Sequence, residues 1–337
     1  MHKKMVNELR LSFSIAPRGP LLIKSGKESG ADPTLLDMNF VRLHHAGLGR
    51  ETVYLPGSSL KGTLRSYCEK IARTVGEGTN RQLPFSCNPL GNSNKPGAQY
   101  ACGRYFDKHK DASSAQKFAG SCAICRIFGH TGMAAHLSLS DAYPWDASAV
   151  EAERLALWEK TNHTEQRNGV AIDRVSGAVA VGPFNLEVVT QGDFLGELAL
   201  KNFQLWQIGL LGIALRDLAR ERIPIGFSKS RGLGRVSVNL RALEVAYPGQ
   251  FAVKRNGRDL SAALHGVTAF LDEKSVTEYD YRVEEALPPP TPGTVAELGD
   301  EGRVSLRWTE AKAIEDVLRA CAPAWAQFVQ AWRGEGG

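Results

Sequence analysis

The chain has 337 residues, 43% of them hydrophobic and 23% charged, which are the proportions of a folded globular protein and exclude a disordered tail. No run reaches the ~18 to 20 consecutive apolar residues needed to cross a bilayer, and Met1-His2-Lys3-Lys4 opens no apolar secretory segment, so a cytoplasmic location is expected. The net charge of +5 permits a nucleic-acid partner without demanding one, and the clustering of cations matters more than their sum.

Leu9, Leu11, Phe13 and Ile15 alternate with other residues and predict a half-buried strand. A loop of roughly forty residues follows, too long for a plain connection. It contains Lys24, Lys27, Asp32, Asp37, Arg42, His44 and His45. Next comes Leu55-Pro56-Gly57-Ser58-Ser59-Leu60-Lys61-Gly62-Thr63-Leu64-Arg65, a small-residue turn opening a helix expected over 59–75. Ser58 or Ser59 can cap it, its first N–H groups suit a phosphate, and Lys61 and Arg65 share a face opposite Leu60, Leu64, Tyr67, Cys68 and Ile71.

The stretch from about 80 to 135 is rich in Gly, Asn, Ser and Lys and reads as an insertion that needs a staple. Four of the six cysteines lie in it, Cys87, Cys102, Cys122 and Cys125. The last two have chelating Cys-x-x-Cys spacing, so a structural zinc held by four thiolates is expected, with His109 and His130 as substitute ligands. Four protein ligands leave no open position for catalysis, and no His-Glu-x-x-His occurs.

Leu137 to Tyr143 reads as a strand, residues 161–182 as a protruding hairpin, and Phe194 to Leu200 as a further strand. Apolar spacing predicts a helix over Trp206 to Arg222, ended by Pro224. Lys229 precedes Ser230-Arg231-Gly232-Leu233-Gly234-Arg235-Val236, a basic Gly-rich loop leading into a strand and suited to close approach of a polyanion. Beyond 245 the signals thin to a basic turn at Lys254–Arg258, a Pro-rich stretch at 287–293 and one long helix from about Thr309 to Trp332. Periodicity alone gives an α+β protein.

Four segments carry more. The Pro-Gly-Ser-Ser-Leu-Lys-Gly helix start, Cys122-Ala123-Ile124-Cys125-Arg126-Ile127-Phe128-Gly129, Ala171-Ile172-Asp173-Arg174-Val175-Ser176-Gly177-Ala178 and the Ser-Arg-Gly-Leu-Gly-Arg loop occur in that order. Over roughly residues 9 to 240 the chain thereby resembles the RAMP superfamily of CRISPR effector proteins, specifically the guide-RNA-binding backbone subunit of type III and type IV complexes. The resemblance implies a ferredoxin-like (RRM-like) core over residues 1–245, with the hairpin at 161–186 as a thumb, and a C-terminal extension over 246–337.

By that resemblance Lys24, Arg42, His44, Ser58, Ser59, Lys61, Arg65, Arg126, Arg174, Lys229, Arg231 and Arg235 are expected to contact guide RNA (crRNA). Ile172 and Val175 are expected to wedge between its bases, where apolar groups replace lost stacking. Copies would stack head to tail into a filament along the guide, with complementary DNA or RNA, other effector subunits and a helicase as partners in antiviral defence. The long stretch from Leu35 to Tyr54 and the C-terminal extension favour type IV over type III. The alternative is a type III-like endoribonuclease using Asp32, with Asp37 as second candidate; a third reading is guide trimming by His44 or His45. Ser58-x-x-Lys61 also matches penicillin-recognising enzymes, but their Ser-Asp-Asn and downstream Lys-Thr-Gly are lacking.

Overall fold

In a computed structural model the described residues are 4–26, 38–76, 83–91, 100–255, 258–281, 286–298 and 301–333. From the N-terminus, β1 (Glu8–Pro17) leads through the hairpin β2 (Arg42–His45) and β3 (Arg50–Val53) to α1 (Gly57–Gly76). Three short helices follow, α2 (Cys102–Lys108), α3 (Ser114–Ala119) and α4 (Ala123–Phe128), then β4 (Leu137–Leu139) and α5 (Glu151–Asn162). The hairpin β5 (Glu165–Ile172) and β6 (Val179–Val188) precedes β7 (Phe194–Lys201), α6 (Leu205–Ala219) and β8 (Val236–Pro248). The last quarter adds β9 (Lys254–Arg255), β10 (Arg258–Asp259), β11 (Leu264–His265), α7 (Glu273–Glu278) and β12 (Ala286–Leu287). It ends with β13 (Thr294–Leu298), β14 (Arg303–Trp308), α8 (Ala311–Ala320) and α9 (Ala322–Arg333).

The main sheet runs β13-β14-β8-β1-β7-β4. Within it β8-β1-β7-β4 is the strand order of a ferredoxin-like fold, with α1 joining β1 towards β4 and α6 joining β7 to β8. The apolar alternation of β1 makes it central: Leu11 lies opposite Leu198 on one side and Leu243 on the other. Phe13 and Ile15 meet Leu60 and Leu64 of α1 and Leu215 and Leu218 of α6, all buried. The opposite face of these strands is polar and cross-linked by ion pairs, Arg10 with Glu8 and Glu197, and Arg303 with Glu244. Among the described residues it offers no aromatic stacking platform of the kind single-stranded RNA uses.

β8 runs through position 245 and β14 pairs with it, Leu306 opposite Val245, so the described strands β14 and β13 continue the main sheet. The single C-terminal helix is two, α8 and α9; Pro323 cannot donate to a continuing helix and sits instead in the first turn of α9. The Trp206 ring then stacks on Phe328 at 4.0 Å, and Gly209 lets α6 approach the Cys321 carbonyl, which a Cβ would meet at 2.3 Å. In the Cys-rich stretch all six residues of α4 are buried, and Phe85, Ile124, Ile127 and Phe128 join the main core. Among the described residues no helix is long and apolar enough to cross a membrane.

Candidate nucleic-acid interface and metal centre

Backbone pairing brings the first loop, the start of α1 and the Gly-rich loop together. Phe227 N–H donates to Leu22 O at 2.8 Å, Gly234 N–H to Pro20 O and Arg18 N–H to Arg235 O, both at 2.9 Å. The result is a groove of about 380 Å³ lined by Lys24, Ser59, Gly62, Thr63, Ser66, Gly226 and Lys229. Two glycines serve this chain packing: at φ +80° and +88°, Gly226 and Gly234 would bring a Cβ within 2.3 Å of Leu22 O and 2.0 Å of Ile225 O. Gly232, at φ +86°, has nothing within 4 Å of its Cβ position and leaves an open approach between exposed Arg231 and Arg235.

The helix start differs from the expectation. α1 begins at Gly57, whose N–H donates to Asp141 Oδ1 at 2.7 Å, so a carboxylate of the chain itself caps the helix. Ser58 and Ser59 lie inside the first turn and are exposed. Gly57 is required because a Cβ there would lie 2.4 Å from Leu139 O.

The expected cations divide by whether the chain already satisfies them. Lys24, Arg174, Lys229, Arg231 and Arg235 are exposed and make no ion pair among the described residues. Lys61 is half-buried and unpaired among them; burial, then Arg65, lowers its pKa. Arg42 is committed to Glu187, both of its terminal nitrogens donating to the carboxylate. Burial pushes the Glu187 carboxyl up, but Arg42, Phe40 N–H and the Thr164 hydroxyl hold it below the usual range. Arg42 therefore ties β2 to the base of the β5/β6 hairpin. Arg65 turns inward: Nε donates to Glu69 at 3.0 Å, Nη1 to Gly129 O at 3.1 Å and Nη2 approaches Cys125 Sγ at 3.5 Å. Arg126 has no exposed side-chain surface; it bonds Ala119 O, Ser121 O and Asp280 and lies over the Phe118 and Trp332 rings. The expectation of RNA contact by Arg126 is corrected by that burial, whereas Arg65 and Arg42 keep part of their side chains exposed beside their partners within the chain.

His44 is exposed and His45 is not, as alternation on β2 dictates. His45 Nδ1 accepts from Leu48 N–H at 3.2 Å, and its ring packs on Tyr143; burial, then His44, lowers its pKa. Asp32 and Asp37 lie outside the described residues.

Cys87, Cys102, Cys122 and Cys125 converge, with sulfurs all within 4.8 Å of one another and every residue buried. None is disulfide-bonded. They arrive from the segment before α2, the first residue of α2, the N-cap of α4 and its first turn. Cys122 N–H points to Cys102 Sγ at 3.3 Å and Cys125 N–H to Cys122 Sγ at 3.4 Å. Thiols this close cannot all ionise by themselves. Hydrogen bonds from Cys102, Cys122 and Cys125 pull Cys87 below the ordinary thiol range, while bonding within the cluster and burial push Cys102 and Cys125 up. A divalent cation would remove that conflict, and the Arg65 guanidinium already lies beside it, so the group can hold a metal ion. His109 and His130 are bound elsewhere, His130 Nε2 to Ser121 Oγ and His109 Nδ1 to Tyr105 O.

The β5/β6 hairpin projects with its apolar residues outward: Ile172 is 63% and Val175 97% exposed. Its turn is nonetheless ordered, because Asp173 Oδ1 accepts from Val175 N–H, Ser176 N–H and the Ser176 hydroxyl, and Gly177 adopts φ +69°. At the other end Phe184 packs over Gly169, where a Cβ would meet the ring at 2.4 Å.

The family profile described as the RAMP superfamily matches residues 18–237, a span that contains the groove, the thiol cluster and the hairpin. No curated protein matches the chain. With this match covering more than half of its 337 residues, the chain belongs to the RAMP superfamily, whose CRISPR-associated members bind CRISPR RNA and other effector subunits.

Proposed function

We propose that the chain is the crRNA-binding backbone subunit of a class 1 effector of the type IV kind, with copies lined up head to tail along one guide. The observation that carries the reading is the convergence of Lys24, Ser59, Thr63 and Lys229 on one groove, next to the open Gly232 turn with Arg231 and Arg235. Unpaired cations beside hydroxyls grip phosphate without reading sequence, and base pairing does the reading. The exposed Ile172 and Val175, held on an ordered turn, suit the wedge role of a thumb, since an unstacked base needs an apolar replacement.

Zinc is the metal we assign to the thiol cluster. A Zn–S distance of about 2.3 Å sets tetrahedral sulfurs about 3.8 Å apart, and Cys87 and Cys125 stand 3.8 Å apart. Four protein ligands make it a structural ion that fastens α2 and α4 beside α1.

The test is purification from cells that co-express a repeat-spacer array, followed by sequencing of the bound nucleic acid. Repeat-derived RNA protected in regular increments is expected, together with weaker binding by Lys24→Ala and Lys229→Ala and a salt slope that falls by roughly 0.7 for each phosphate no longer neutralised. Nucleic-acid-free protein that ignores both substitutions would overturn the assignment. Regularly spaced cuts in complementary RNA that vanish in Asp32→Ala would establish the endoribonuclease alternative instead.

A further inference from the structure

The hairpin β2/β3, which lengthens the first loop, builds a second surface that the groove does not use. Its His45 ring lies 4.7 Å from Tyr143 and 5.4 Å from Trp145. Arg154 of α5 sits over the Trp145 ring at 4.6 Å, and Arg50 of β3 sits over Trp158 of α5 at 4.7 Å. None of these rings is buried, and Arg50 is exposed. The geometry points to a platform that binds unpaired bases of single-stranded nucleic acid, separately from the phosphate groove.

Three observations support this occupant. Rings and guanidinium planes interleaved on one surface are the chemistry that stacks bases and meets phosphate together. Apart from these rings, neither guanidinium has a hydrogen-bond or ion-pair partner among the described residues, and Arg154 Nε is buried without an acceptor. Two nearby carboxylates are already engaged, Asp146 by Arg241 and Asp141 by Gly57 N–H and the Tyr143 hydroxyl. Through that last pair the platform abuts the start of α1, one edge of the groove. The bases come from a strand other than the one gripped by the groove, or from an overhanging part of the same strand.

The experiment measures binding of oligouridylate, oligothymidylate and a duplex of equal length to the full chain, and maps cross-links from 5-iodouridine RNA. Arg50→Ala is expected to weaken single-strand binding roughly tenfold, the loss of one stacked base, and to leave duplex binding unchanged. Arg50→Lys keeps the charge but not the planar face, so it should recover only part of the loss. Cross-links should fall on Tyr143, Trp145 or Trp158. Comparing uridylate with thymidylate distinguishes an RNA source from a DNA one. Wild-type binding by Arg50→Ala and Arg154→Ala, with no cross-link to those rings, would overturn the proposal. The same assays on Lys24→Ala/Lys229→Ala separate the two readings: loss of all binding there with intact platform variants refutes the platform alone, and the reverse pattern refutes the groove alone.

Discussion

Removing the guanidinium of Arg126 should destabilise the protein severely while leaving the proposed RNA groove untouched. The side chain is fully buried, and its Nη2 donates at 2.7 Å to Ala119 O and at 2.8 Å to Asp280 Oδ2, with Nε donating at 3.1 Å to Ser121 O. Arg126→Ala would take a donor from three carbonyls, Ala119 O, Ser121 O and Asp280 O, and from the Asp280 carboxylate, and would open a cavity between Phe118 and Trp332. Breaking a buried pair by deleting one partner costs about 3 to 5 kcal/mol. The Asp280 side chain is 26% exposed, so water can soften its share and the lower half of that range applies. Arg126→Met keeps the stem volume and removes the cavity part, leaving about 2 to 3 kcal/mol from the unpaired acceptors. Against a total stability of about 5 to 15 kcal/mol, either loss would move a urea midpoint clearly at unchanged slope. Unfolding free energies within about 0.5 kcal/mol of the parent, or full stability with weakened RNA affinity, would refute the burial argument.

Arg65→Ala takes a positive charge away from four sulfurs; metal captured by a colorimetric chelator should be released on the order of tenfold more readily, with Arg65→Lys between the two. Gly234→Ala should destabilise well beyond Gly232→Ala in the same unfolding assay, since both face positive φ but only Gly234 also collides with Ile225 O; equal effects would refute the close approach. The Glu187 carboxyl is held below its unfolded value, so it contributes stability above about pH 4.3, the ordinary glutamate value, and that stability is lost as pH falls through the folded value. Thermal midpoints between pH 6 and pH 3 should therefore fall more steeply for the parent than for Glu187→Gln, and parallel curves would count against the Arg42 clamp.

Elements with strong local periodicity are legible in the sequence itself: β1, α1, α6 and the hairpin all lie where alternation or helical spacing puts them. Their order, with the family resemblance, suffices for the ferredoxin-like core. β14 has a readable signal in Val304, Leu306 and Trp308, all buried, but it follows a Pro-rich stretch that reads as a linker. β13 has none, because every residue of it is exposed at the sheet edge. The cations are the hardest to read. Lys24 and Arg126 look equally available in a sequence, and only the fold brings Asp280 to Arg126 across 154 positions. The platform is hidden for the same reason, since His45, Trp145 and Trp158 belong to three separate segments.

The β5/β6 hairpin leaves and re-enters the core at one place, Glu165 opposite Val188, so its two ends are neighbours whatever lies between them. Its reach is thus an independent dimension of the molecule. Each residue added to both strands would carry Val175 about 3.3 Å farther from the sheet without disturbing the core. A single exposed segment can in this way act as an adjustable ruler, while the groove, the thiol cluster and the six-stranded sheet stay as they are.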